Sequence, residues 1–301
     1  MASTKYGEYV KRLSFVDEGP GSFRQGTRLT ADDLGMDVNL AYGTYWTAGR
    51  IGKDAQGAHV HDFDQMMLWL GTDTSDVGDL GAEVELGLGD EPEKHMITTS
   101  TAVGIPRGFP HFPANVARLD RRFILLEVSL ARDCRATKLA APEGSFESAP
   151  VAGFGAKHRG RVSHLSFTRK GAWHYGPKNP DDSGGALAFV RGQDMGFDFL
   201  MMCESLRKAP YRFGPDPDKP HVHPKPEILL FVGADADDLS QLGGEVEISL
   251  GEEMERHIIS APAAVVVPGG LWHLPLVVTK LSRPFFLIDV RPLGTEAPRP
   301  S

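Results

Sequence analysis

PHVHPKPEILLFVG (Pro220–Gly233) and PGGLWH (Pro268–His273) are the two stretches whose reading decides this chain. Side chains of an extended segment alternate between faces, so His221, His223 and Glu227 share a parity and reach one side. Two imidazoles and a carboxylate on one side suit a divalent metal. The Pro268-Gly-Gly turn delivers His273 to the start of the next strand, where it supplies a fourth donor. Sliding the sequence by 162 residues lays His59–Val128 on His221–Val290 without a gap, and 30 of these 70 positions are identical. The pattern therefore occurs twice, the first time as His59, His61, Gln65 and His111, with Pro106-Arg-Gly-Phe-Pro-His111 as the turn.

The match continues upstream with shifted spacing: KYGEYVKRLSF (5–15) parallels KHRGRVSHLSF (157–167). A duplication follows, with one unit over residues 1–135, a linker rich in Ala, Pro, Gly and Ser over 136–156, and a second unit over 157–301. Apolar runs of five or six residues, such as Met66–Leu70, Val246–Leu250, Ala263–Val267 and Phe285–Val290, are bounded by Gly, Pro or Asp. That is the signature of strands, and it predicts an all-β sandwich or barrel in each unit. Helical signals are few; Thr30 predicts a cap on one turn over residues 31–34, with Gly35 ending it.

Composition narrows the function. Among 301 residues, 32 Lys and Arg against 40 Asp and Glu leave a net charge of −8, which argues against a nucleic-acid or anionic-membrane partner. Two cysteines, Cys134 and Cys203, exclude a disulfide scaffold and disfavour a Cys-ligated zinc site. The apolar runs are far short of the ~20 residues that span a bilayer, and residues 1–15 hold no signal-peptide core. The expectation is a soluble, cytoplasmic protein.

These motifs resemble the cupin superfamily. Its first motif, His-x-His, three residues, Glu and a later Gly, is matched by His221, His223, Glu227 and Gly233. Its second, Pro-x-Gly-x-x-His-x-x-x-Asn, is matched by Pro268, Gly270 and His273, with Val277 where Asn is expected. The first unit matches at His59, His61, Gly71, Pro106, Gly108, His111 and Asn115 and departs at Gln65. The resemblance covers both units and implies a bicupin: two tandem jelly-roll barrels, each with a mononuclear divalent metal (Fe, Mn, Ni, Cu or Zn) held by its three histidines and by Glu227 or Gln65. It implies an enzyme, first an oxygenase acting on a small acidic or enolisable organic substrate. A non-redox decarboxylase, isomerase or lyase is the alternative, and a non-catalytic small-molecule-binding or storage-type bicupin is the rival of another class. A homodimer is a further expectation from family habit.

Charge predicts tighter metal binding in the second unit, because Glu227 is anionic and Gln65 neutral. Metal loss is expected below about pH 6, where unperturbed imidazoles protonate. Asp62 and Asp64 have the parity of the opposite face. Glu204 is a weaker candidate acid or base, and His95 and His257 are weaker candidates as partners to the ligands.

Overall fold

The computed structural model describes residues 4–19, 21–52, 57–91, 93–140, 146–153, 156–167, 185, 187–213 and 219–293. Residues 141–145 and 154–155 of the expected linker lie outside them. Each repeat builds two antiparallel sheets that close over an apolar interior, so the predicted pair of all-β jelly-roll barrels is the architecture observed. In the first barrel, one sheet runs through Thr101–Ile105, Gln65–Gly71, Phe123–Ser129, Asn39–Tyr45 and Gln25–Leu29. The facing sheet runs through Ala136–Lys138, His59–His61, His111–Leu119, Asp79–Leu88 and Glu93–Thr99, with Gly49–Ile51 also on His111–Leu119. The second barrel repeats this with Ala263–Val267, Glu227–Gly233, Phe285–Arg291, Leu200–Leu206 and Leu187–Arg191 facing Tyr211–Phe213, His273–Leu281, Gly244–Leu250 and Glu255–Ile259. The short helix Ala31–Leu34 begins and ends where the sequence placed it: Thr30 and Asp33 form a capping box, and Gly35 stops the turn at φ 66°.

Three apolar clusters hold the molecule together. Two fill the barrels; Trp69, Leu86 and Phe123 belong to the first and Phe231, Ile248 and Phe285 to the second. The third lies between barrels, where Leu68, Leu70, Leu126 and Val128 meet Ile228, Leu230, Phe286 and Ile288. Alternate residues of one strand therefore face different cores, which is why Gln65–Gly71 and Glu227–Gly233 are buried throughout and read as unbroken apolar runs. The outer sheets alternate instead. In Gly244–Leu250, Val246 and Ile248 are buried while Glu247 is half-buried and paired to Arg256.

Each unit also lends its first strand to the other barrel. Val10–Arg12 pairs with Ala263–Val267, and Val162–His164 pairs with Thr101–Ile105. The two segments are equivalent in the repeat, so the exchange is reciprocal, and it covers an inner-sheet edge of each barrel.

The shared core predicts an asymmetry in mutational cost. Leu126→Ala, at a side chain with no exposure between the barrels, should lower the unfolding free energy in urea by about 3 kcal/mol. Ile258→Ala, 65% exposed on an outer sheet, should change it by less than about 0.5 kcal/mol. Equal costs would contradict the packing between barrels.

Candidate metal centres

In each barrel the turn before the last histidine is tied to the His-x-His segment. Gly108 N–H donates to His61 O at 2.7 Å, and Gly270 N–H donates to His223 O at 2.9 Å. His111 lies directly opposite His59 in the ladder, and His221 and His273 exchange both backbone hydrogen bonds at 3.0 Å. Immediately after each last histidine the strand bulges. His111 to Ala114 spans three residues against two on the partner, Leu88 to Leu86, and His273 to Leu276 does the same against Leu250 to Ile248. Phe112 and Leu274, next in the chain, take left-handed φ values of 67° and 72°. Bulges of this kind re-aim side chains, and here they accompany rings that face the barrel interior.

The result is a cluster of three imidazoles in each barrel: His59, His61 and His111 in the first, His221, His223 and His273 in the second, with donor atoms within 4.8 Å of one another. Ring centroids are 4.3 Å apart for His59–His111 and 4.5 Å for His61–His111; the equivalent pairs in the second barrel are at 4.3 and 4.9 Å. The sequence grouped these histidines correctly, but one extended strand does not carry the whole motif. Between His61 and Gln65 the chain crosses from one sheet to the other, and His221–His223 forms only an isolated bridge before Glu227 opens the inner strand.

Backbone carbonyls fix the tautomers. His59 Nδ1 meets Gly57 O at 3.0 Å, His111 Nδ1 meets Phe109 O at 3.1 Å, His223 Nδ1 meets Lys225 O at 2.6 Å and His273 Nδ1 meets Leu271 O at 3.0 Å. A carbonyl only accepts, so each Nδ1 carries the proton. His59, His111 and His273 then keep a lone pair on Nε2, as metal-ligating histidines do, whereas His223, whose Nε2 also meets the Glu227 carboxylate, carries protons on both nitrogens until a metal displaces one. His111 Nε2 is buried with no hydrogen-bond partner among the described residues, and Gln65 Oε1 is in the same position. An unsatisfied buried nitrogen carries a penalty unless a cation or proton takes its lone pair. A proton is the poor choice: burial first, and then neighbouring histidines, hold His111 well below its ordinary value and His61 at about 4. The donor set and its orphaned atom thus fit a divalent metal.

The fourth positions differ more than their chemistry alone suggested. Gln65 Nε2 approaches Ser129 Oγ at 3.5 Å. Glu227 is buried, and its Oε2 receives His223 Nε2 at 2.6 Å and lies 3.6 Å from His273 Nε2 and 3.2 Å from Arg291 Nη2. Arg291 also holds Asp289, through Nη2 at 2.8 Å and Nε at 3.0 Å. Burial favours a neutral Glu227, but the hydrogen bond from His223, the nearby His273 ring and the charge of Arg291 outweigh it and keep the carboxylate ionised. Burial and then the charge of Glu227 push Asp289 up to about 7, against the pull of Arg291. Burial opposes protonation of His223 as well, yet its bond to Glu227 wins and raises it.

Sequence reading missed Arg291 and Asp289. The signal was present: two charges of one parity end the apolar run Phe285–Val290, just where the match between repeats stops. Asp64 is engaged elsewhere, accepting from the Arg107 N–H at 2.8 Å. Glu204 does point into the second barrel, where the Tyr211 hydroxyl lies 3.3 Å away, but it is not among the clustered groups. His95 and His257 are buried beside Glu93 and Glu255, away from both clusters.

No family model and no curated protein matches the sequence. Solved structures match along nearly the whole chain. AerE from Microcystis aeruginosa aligns with a TM-score of 0.54 at 13% identity, covering 94% of this chain and 98% of that one. Vicilin from Corylus avellana (hazelnut) aligns at 0.59 and 10% identity over 96% and 87% of the two chains. Oxalate decarboxylase from Bacillus subtilis, described with Mn(II) centres, aligns at 0.55 and 9% identity over 92% and 74%. The fold is therefore that of a bicupin. No helix among the described residues is long and apolar enough to cross a membrane.

The depressed histidines give stability a pH dependence. His59, His61, His111 and His221 are all lowered from 6.5, the second and fourth to about 4, with burial the leading cause. The unfolded chain then binds protons that the folded chain refuses. This contribution to stability is whole above about pH 6.5 and is lost as pH falls toward about 4. His223, raised by its partner, works in the opposite sense but is one group against four. Melting temperature of metal-free protein should fall through this window, and excess Zn(II) should move the fall to lower pH. Metal retention should extend below the pH 6 expected for unperturbed imidazoles. A flat profile between pH 6.5 and 4 would contradict the assignment.

Proposed function

We propose that this bicupin is a metal-dependent enzyme whose working centre is the first one, and that it acts on a small acidic or enolisable organic molecule. The observation that carries the reading is the His59, His61 and His111 cluster, whose His111 Nε2 is buried and unpaired like His273 Nε2 in the second barrel, but whose fourth position holds the neutral Gln65 beside Ser129 in place of the ion-paired Glu227 and Arg291. Bound there, Fe(II), Mn(II), Ni(II), Cu(II) or Zn(II) would act as a Lewis acid on a chelated substrate's oxygens and, if redox-active, support oxygenation. Three neutral imidazoles leave the site's positive charge uncancelled, which favours an anionic, chelating ligand. The buried Gln65 Oε1 is positioned on the inner strand to accept a hydrogen bond from a substrate hydroxyl. The rings of Phe112, 5.2 Å from that of His59, and Phe63, stacked on His61 at 4.5 Å, limit water around the reacting atoms.

Oxygenation is the first reading of the reaction. The likeness in fold to oxalate decarboxylase supports a second, non-redox reading at the same residues: decarboxylation, isomerisation or lyase chemistry. The likeness to vicilin supports the non-catalytic alternative of a storage or small-molecule-binding protein. A catalyst needs an open coordination position; a storage protein does not.

Metal analysis with ligand variants tests the proposal. His59→Ala and His111→Ala should each remove about one equivalent of metal and abolish turnover of a small carboxylic or enolisable acid found by substrate screening. His221→Ala and His273→Ala should lower the melting temperature while leaving turnover within about threefold. Full activity in metal-stripped protein, or in His111→Ala, would refute the reading.

A further inference from the structure

The two centres part at one pair of positions. Where the first barrel sets Gln65 against Ser129, the second sets Glu227 against Arg291, the same two places in the repeat. Both pairs are electrically neutral as pairs. Glu227 therefore does not bring its whole charge to its centre, because Arg291 arrives with it and divides its own charge between Glu227 and the partly protonated Asp289.

We propose that Arg291 is a built-in counter-cation that competes with metal for Glu227, so that the second centre binds a divalent cation more weakly than the first. The inference deepens, and rests on, the metal-binding reading of the histidine clusters. Its geometry is specific. One oxygen, Glu227 Oε2, already receives His223 at 2.6 Å and lies 3.2 Å from the Arg291 guanidinium and 3.6 Å from His273. A cation held by that oxygen and those histidines has a second positive charge within a few ångströms in a desolvated interior, where repulsion is screened poorly. Arg291 cannot shed its proton to relieve this. Nor is it free to swing away, since Asp289, two residues earlier on the same strand face, grips Nε and Nη2 at 3.0 and 2.8 Å. In the first barrel Ser129 puts no charge at this place. The expectation drawn from Glu227 alone, that the second centre binds more tightly, is thereby reversed.

Calorimetric titration of full-length variants with Mn(II), and separately with Zn(II), tests this. With the first centre disabled by His59→Ala and His111→Ala, Arg291→Ser should tighten binding at the second by about tenfold or more. With the second disabled by His221→Ala and His273→Ala, Gln65→Glu should tighten binding at the first, and adding Ser129→Arg should cancel that gain. This reciprocal pair decides the matter if Arg291→Ser does not fold. Unchanged or weaker binding in folded Arg291→Ser, or a Gln65→Glu gain that survives Ser129→Arg, would overturn the role of Arg291 while binding at the intact first centre leaves the metal reading standing. Absence of binding at the first centre of the intact chain would overturn the metal reading and the inference with it.

Discussion

Three imidazoles forced together inside a barrel, two of them with Nδ1 committed to a backbone carbonyl, are the constraint on which this structure turns. A histidine can bury itself at small cost when both nitrogens are paired. Here the pairing is one-sided: Phe109 O takes the proton of His111, and the lone pair on Nε2 faces other imidazoles. Protonation would remove the orphan but place charge among neighbouring histidines in a desolvated space, and the depressed values of His61 and His111 show that cost. The bulge after His111, the left-handed Phe112 and the Gly108 bond to His61 all hold this arrangement in place. They recur, residue for residue, at Leu274 and Gly270.

Duplication gave the molecule two copies of the constraint, and the copies have diverged in how they satisfy it. The second barrel fills the space beside its histidines with Glu227, Arg291 and Asp289, a network whose charges answer one another. The first leaves a neutral amide and a hydroxyl there. Around both, the inner sheets pack back to back through a common apolar core and trade their first strands. The two centres are thus mounted on one continuous scaffold, and a defect in either barrel's inner sheet is felt at the shared core.

Much of this was legible in the sequence. The gapless match of His59–Val128 to His221–Val290 revealed the duplication, the short runs between Gly and Pro revealed strands, and Thr30 with Gly35 marked a single helical turn. The six histidines were grouped as the structure groups them. What the sequence did not disclose depends on tertiary placement. Alternation along one strand was the wrong reason for bringing His223 and Glu227 together, because the chain changes sheets between them. The inner strands read as featureless apolar runs because each is buried on both faces. Arg291 is a charge closing the run Phe285–Val290, and only the register of Phe285–Arg291 beside Glu227–Gly233 brings it to the carboxylate.

The central claim is that the first barrel's imidazoles are metal ligands. Electron spin-echo spectroscopy of Mn(II) bound to protein whose second centre is disabled reads it directly, because nitrogen couplings report each coordinated imidazole. The account predicts couplings from three histidine nitrogens, reduced to two in His111→Ala protein reloaded with excess Mn(II). A spectrum free of nitrogen coupling, with the ion held by oxygen ligands alone, would contradict it.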